Sequence, residues 1–194
     1  MNLSPLILAS SSVYRRMLLE RLRIPFEIVS PEIDETPKPA ESPADAASRL
    51  AQEKARKVGL THPHTLIIGC DQVAVLDGRQ IGKPYTFENA FDQLKTMRGK
   101  TVIFYSALCL YNSGNDGMQS RIVPCEVTFR NYTDDQIGNY LRLDEPYHCA
   151  GSAKSEGLGI AMISSMKGED PNALIGLPII ALVDMLKAEG IEIV

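Results

Sequence analysis

The chain has 194 residues, with 20 Lys+Arg against 24 Asp+Glu, giving a formal net charge of −4 at pH 7. That length suits one domain with a proper core, and 44% apolar with 23% charged residues excludes global disorder. The net negative charge argues against a general nucleic-acid or acidic-membrane binder, so any phosphate chemistry has to come from a local basic cluster.

Pro5 to Ala9 reads as a buried first strand, followed by Ser10-Ser11-Ser12 and an amphipathic helix through Met17, Leu18 and Leu22. Hydroxyls at a strand-to-helix junction can cap the helix, whose free N–H groups also suit a phosphate. Phe26 to Val29 looks like a second strand, leading into a proline-rich loop from Ser30 to Pro43. Ser42-Pro43 starts the next helix by the cap-then-proline rule, with Ala47, Leu50, Ala51 and Val58 on its apolar face. Leu66 to Gly69 reads as a short buried strand, and Val73–Leu76 with Gln80-Ile81 flank Asp77-Gly78 as a hairpin. Thr86 opens a helix bearing Ala90, Leu94 and Met97.

Two long strands are expected over Thr101–Tyr111 and Arg121–Arg130, joined by the turn-rich stretch Asn112–Gly117. Thr133 to Gln136 is a capping box before Ile137, Tyr140 and Leu141. Ala150 to Gly159 reads as a loop, Ile160 to Ile163 as a last strand, and Ile179 to Leu186 as a closing helix. The alternation predicts an α/β fold with a layered sheet flanked by helices, as one domain over residues 1–194. Cys70, Cys109, Cys125 and Cys149 fit no zinc spacing and read as reduced thiols. No run approaches the ~20 apolar residues of a membrane span, so a soluble, cytoplasmic protein is expected.

Several residues stand out chemically. Lys54 projects from the apolar stripe of its helix, where a snorkelling rim lysine is the plain alternative. Asp71 follows an apolar run at an expected strand end, where α/β sheets place ligands, although a turn-capping aspartate reads the same way. Glu35 is a second carboxylate, on an irregular acidic segment that is otherwise a solvated loop. Arg15, Arg16, Lys83 and Lys154 add cations near loops or turns. Serines at a helix start, several cations and two carboxylates are the groups that phosphate clamping and metal-assisted attack by water require. His62, His64 and His148 pair with no nucleophile motif, and there is no Walker A or G-x-G-x-x-G sequence.

The run Leu8 to Leu19 resembles the opening S-x-S-x-x-R-R-x-L-L signature of the Maf family of nucleoside triphosphate pyrophosphatases. Asp34-Glu35, Ala51–Ala55, Gly69–Val73, Gly82-Lys83-Pro84, Cys149–Ser152 and Gly176-Leu177-Pro178 extend the resemblance in order over nearly the whole chain. It implies a Maf/ITPase-like fold with an active-site cleft between two lobes, and cleavage of the α–β phosphoanhydride of a nucleoside triphosphate. By the same resemblance Asp71 is the proton acceptor, and Ser10, Arg15, Arg16, Lys54, Lys83 and Lys154 bind substrate. Glu35 and Asp71 then hold Mg²⁺ or Mn²⁺, with a homodimer as the implied assembly.

By the same resemblance, Tyr14, Gln72 and Glu156 match the places that set base preference in the family. The trio resembles the family's 7-methyl-GTP branch, with Tyr14 where a tryptophan is usual. A methylated guanine carries positive charge, which suits an aromatic face, and Glu156 can accept protons from the guanine edge. The competing expectations are the same chemistry on dTTP, UTP or a modified nucleotide, and a non-catalytic nucleotide-binding regulator of septum formation.

Overall fold

The computed structural model describes residues 5–194. Its strands are β1 (Leu6–Ala9), β2 (Glu27–Ile28), β3 (Leu66–Leu76), β4 (Arg79–Ile81), β5 (Thr101–Asn112), β6 (Gly117–Phe129) and β7 (Ile163–Gly168). The α-helices among the described residues are α1 (Val13–Glu20), α2 (Pro43–Gly59), α3 (Phe87–Met97), α4 (Asp134–Asp144) and α5 (Ile179–Ala188). The sheet is mixed and open, in the order β2-β1-β3-β5-β6-β7, with β4 folded back on β3. β1 runs parallel to both β2 and β3, whereas the β3–β4 and β6–β7 pairs are antiparallel. The chain is thus an α/β protein, as its alternating pattern requires.

It divides into two compact units. The first holds residues up to Asp71, Ser106–Val123 and Asp170–Val194. Here the period-two alternation of the strands sorts side chains between two layers. Leu6 and Leu8 of β1 and Leu66, Ile68 and Cys70 of β3 join one core with Leu18 and Leu19 of α1 and Leu182 and Leu186 of α5. The opposite parity of β3, which includes Gly69, meets α2: a Cβ on Gly69 would stand 2.0 Å from the Ala51 carbonyl oxygen and 3.0 Å from Ala55 Cβ. Only glycine admits that approach. α5 has no side-chain cap at Pro178; instead the buried Asp170 accepts from the Ile180 amide at 2.7 Å and from the Asn172 amide at 2.8 Å.

The second unit holds Gln72–Tyr105 and Pro124–Glu169. Its core includes Leu94 and Met97 of α3, Phe104, Phe129, and Ile137 and Leu141 of α4. The buried Tyr132 hydroxyl donates to the Leu94 carbonyl at 2.8 Å. Thr133 and Gln136 form the expected capping box, and Asp77-Gly78, both at positive φ, turn the β3–β4 hairpin.

Four expectations are corrected. β3 does not stop at Gly69 but runs unbroken to Leu76, because a partner strand pairs its second half. Residues 158–162 form a 3-10 turn, and the last strand begins only at Ile163. The second strand is only Glu27–Ile28. On α1 the buried pair is Leu18 and Leu19, while Met17 is exposed and Leu22 lies beyond the helix.

Candidate active site

β1 ends at Ala9, opposite Gly69 of β3, and the chain turns through three serines into α1. Ser12 caps that helix, its Oγ accepting from the Arg15 amide at 3.3 Å. Ser10 is buried, and its Oγ accepts from the Ser12 amide at 3.2 Å and from Arg15 Nη1 at 3.4 Å. The Arg15 guanidinium is fixed further by donating to the Cys70 carbonyl at 2.9 Å and to the Gly176 carbonyl at 3.0 Å. Gly176 sits at φ +113°, and a Cβ there would lie 3.4 Å from Arg15 Nε. Arg16 points elsewhere: it pairs with Glu20 at 2.8 Å on the exposed side of the helix, as ~100° per residue dictates.

Asp71 lies in the middle of β3, not at its end. It is nonetheless just past the last residue that pairs with the shorter β1, so it occupies the carboxyl edge of the parallel pair. Its parity is that of Gly69, which directs it toward α2. There Lys54 Nζ meets Asp71 Oδ1 at 2.7 Å and Glu35 Oε1 at 2.7 Å. The Lys54 and Asp71 side chains are only 10% and 12% exposed, so the lysine does not snorkel to a rim; Glu35, at 57%, is the wet member. A buried ammonium held by two carboxylates is costly to desolvate and adds little net stability, which directs attention to chemistry.

Of the remaining expected residues, all but Tyr14 belong to the second unit. Gln72 follows Asp71 on β3 and is partly buried. Lys83 is exposed on the turn after β4, whose flanking carbonyls are pinned: Gly82 O accepts from Gln93 Nε2 at 3.1 Å, and Pro84 O from Asn89 Nδ2 at 3.0 Å. Lys154 turns its ammonium onto the Asp144 carbonyl and carboxylate, each at 3.2 Å, while its amide donates to the Tyr140 hydroxyl at 3.1 Å. Gly159 folds so closely beneath this loop that a Cβ would be 2.5 Å from the Lys154 carbonyl oxygen. Glu156 is exposed on the same loop, and Tyr14 is partly buried on α1 in the first unit.

Ser10, Arg15, Lys54, Asp71 and Glu35 therefore come together within the first unit, and Arg16 does not join them. Sequence reading missed Arg49, Gly69, Asp144 and Asp170. For Arg49 the available signal was the i,i+4 spacing to Glu53. Among the described residues no three of His, Cys, Asp and Glu cluster as a ready-made metal site. Cys70, Cys109 and Cys125 are buried and Cys149 is partly exposed, and none of the four forms a disulfide. Burial pushes the Cys70 thiol up to about 12 and the Cys109 thiol up to about 11.

Paired acids on one buried ammonium thus lie next to a fixed guanidinium at the carboxyl edge of parallel strands, the edge where α/β proteins place their ligands. The Maf-like protein family matches residues 5–189, and the chain belongs to that family. A protein of Methylobacillus flagellatus named 7-methyl-GTP pyrophosphatase is 60% identical over 98% of this chain and 99% of its own length. Proteins of the same name from Nitrosospira multiformis (60%, covering 97% and 96%) and Ralstonia nicotianae (58%, covering 94% of each) are similar throughout. Among the described residues no helix is long and apolar enough to cross a membrane.

Proposed function

We propose that this chain hydrolyses the α–β phosphoanhydride of 7-methyl-GTP, releasing 7-methyl-GMP and pyrophosphate. The observation that carries the reading is the Lys54 ammonium held at 2.7 Å by both Asp71 and Glu35. In the proposed reaction Asp71 takes a proton from water, the water oxygen bonds to the α-phosphorus, and the bond from that phosphorus to the bridging oxygen breaks. Pyrophosphate carries the bond's electrons away. The adjacent ammonium can turn to the phosphate oxygens, and the remaining N–H groups of Arg15 and the Ser10 hydroxyl can donate to them.

Arg15 takes this role rather than Arg16, whose charge is spent on Glu20. Lys83 is assigned to the phosphates as well. Lys154, through Asp144, holds the loop that bears Glu156. Tyr14 offers a π face to the charged base, Glu156 accepts from the guanine edge, and Gln72 adds an amide to base selection.

Glu35 and Asp71 also fit a divalent cation. Two carboxylates with phosphate and water oxygens are the set that Mg²⁺ or Mn²⁺ accepts, and such an ion neutralises phosphate charge. The reading places a single domain of residues 1–194 in the cytoplasm, with a small nucleotide rather than nucleic acid or membrane as its partner, and a homodimer as its assembly. A panel of nucleoside triphosphates assayed for pyrophosphate, with metal added, tests it. Wild type should prefer 7-methyl-GTP, and Asp71→Asn should bind nucleotide but not turn it over. Preference for a pyrimidine would overturn the base assignment, and no hydrolysis of any triphosphate would leave a nucleotide-binding regulator.

A further inference from the structure

Glu35 reaches Lys54 from a loop with little backbone support. The stretch from Ser30 to Glu41 lies between β2 and α2 and has no strand ladder. Glu35 is more than half exposed, yet its carboxylate sits 2.7 Å from a nearly buried ammonium. A flexible acid does not hold such a place unless its backbone is fixed, since ordering each loop residue costs entropy.

The fixing group is Arg49. Its side chain is only 15% exposed and grips Glu41 as a fork, Nε to Oε1 at 2.7 Å and Nη2 to Oε2 at 2.8 Å. Nη2 also donates to the carbonyl of Thr36, the residue directly after Glu35, at 3.3 Å. The third nitrogen, Nη1, meets Glu53 at 3.0 Å, which holds the guanidinium against its own helix. Asp34 completes a local turn by accepting from the Thr36 amide at 2.9 Å and from its hydroxyl at 2.6 Å. Arg49 and Lys54 both stand on α2, so the point that pins the loop and the point its carboxylate must reach are set by one rigid element. A planar guanidinium can make this bidentate grip and an ammonium cannot. The Arg49 guanidinium draws the Glu41 carboxyl down to about 2, so the clasp stays ionised at any assay pH.

We infer that Arg49 is a positioning residue: by clasping Glu41 and Thr36 it fixes the loop that carries Glu35 and sets that carboxylate on Lys54. The inference rests on the reading above, in which Glu35, Lys54 and Asp71 act on the triphosphate. The test is a double-mutant cycle of Arg49→Gln with Glu35→Gln, read as kcat/KM, together with hydrogen exchange of peptides covering residues 30–41.

Arg49→Gln should lose roughly 10–100-fold in turnover, as misplacing a reacting group by about 1 Å does. In the Glu35→Gln background the same change should cost less than about threefold, because the group it places is already gone. Exchange over 30–41 should rise while β1 and β3 stay protected, and Arg49→Lys should fall between wild type and Arg49→Gln. Glu41→Gln removes the other half of the clasp and serves if Arg49→Gln does not fold.

Undiminished loss in the Glu35→Gln background, or wild-type turnover and exchange in Arg49→Gln, would overturn the inference. A wild type that hydrolyses no triphosphate defeats the functional reading instead. The exchange measurement then decides the clasp alone, and unchanged protection over 30–41 overturns it.

Discussion

Replacing Gly69 by alanine puts one methyl group where β3 and α2 are closest. The new Cβ would lie 2.0 Å from the Ala51 carbonyl oxygen, 3.1 Å from its carbon and 3.0 Å from Ala55 Cβ. Two of those atoms are helix backbone and cannot swing aside, so α2 must retreat by about 1 Å, an overpacking that costs about 1–3 kcal/mol. For a chain of this length that is a fall in Tm of roughly 2–12 °C. Lys54 stands between Ala51 and Ala55 on α2, and Asp71 is on the Gly69 side of β3, so the same retreat stretches their 2.7 Å contact. Turnover should drop by about 100-fold if Lys54 and Asp71 act together on substrate.

Gly138→Ala is the control. It lies inside α4, where a Cβ would meet only the end of the Arg142 side chain at 3.4 Å. There alanine should stabilise by about 0.5–1 kcal/mol through helix propensity. Thermal unfolding with pyrophosphate release checks both. Gly69→Ala with an unchanged Tm and full activity would refute the packing argument, and losses of equal size in both variants would show that glycine removal alone is responsible.

Asp170→Ala leaves the Ile180 and Asn172 amides without their acceptor and should cost about 2–3 kcal/mol, seen as a lowered midpoint in urea; a midpoint equal to wild type would count against the cap. The Glu41 carboxyl is held at about 2, below its ordinary 4.5, so its share of stability is complete above 4.5 and drains away as pH falls toward 2. The Tm gap between wild type and Glu41→Gln should therefore narrow as pH drops from 6 to 3, and a constant gap contradicts the ion pair. Tyr14→Ala should cut preference for 7-methyl-GTP over GTP by about fivefold, the worth of a cation–π contact near 1 kcal/mol; equal ratios of kcat/KM in both proteins would remove Tyr14 from the base site.

Local chemistry was legible where it is local. Ser42-Pro43, the Thr133–Gln136 box and Asp77-Gly78 each act through neighbours a few residues away, and each forms as its sequence requires. Lys54 was visible because a charge on an apolar stripe needs a reason. Boundaries that depend on pairing were not. Cys70-Asp71-Gln72 breaks the apolar run but not the strand, since β4 supplies hydrogen bonds to the second half of β3. Residues 158–162 are apolar enough for a strand, yet form a 3-10 turn. The role of Arg49 escaped for the same reason: its i,i+4 partner Glu53 was within helical reach, but Glu41 and Thr36 come from a loop that folds back over α2, which no periodicity encodes. Arg15 and Arg16 could not be told apart until Cys70, Gly176 and Glu20 fixed their directions.

The thiols have a practical consequence. Three of the four cysteines are sealed in the interior, and two of these have sulfurs held far from ionisation, so a maleimide at neutral pH meets one accessible target, Cys149. Native protein can accordingly be dye-labelled at a single site without first deleting cysteines. The dye would sit a few residues ahead of Glu156, so a change in its emission on adding nucleotide would test the proposal that this loop faces the base.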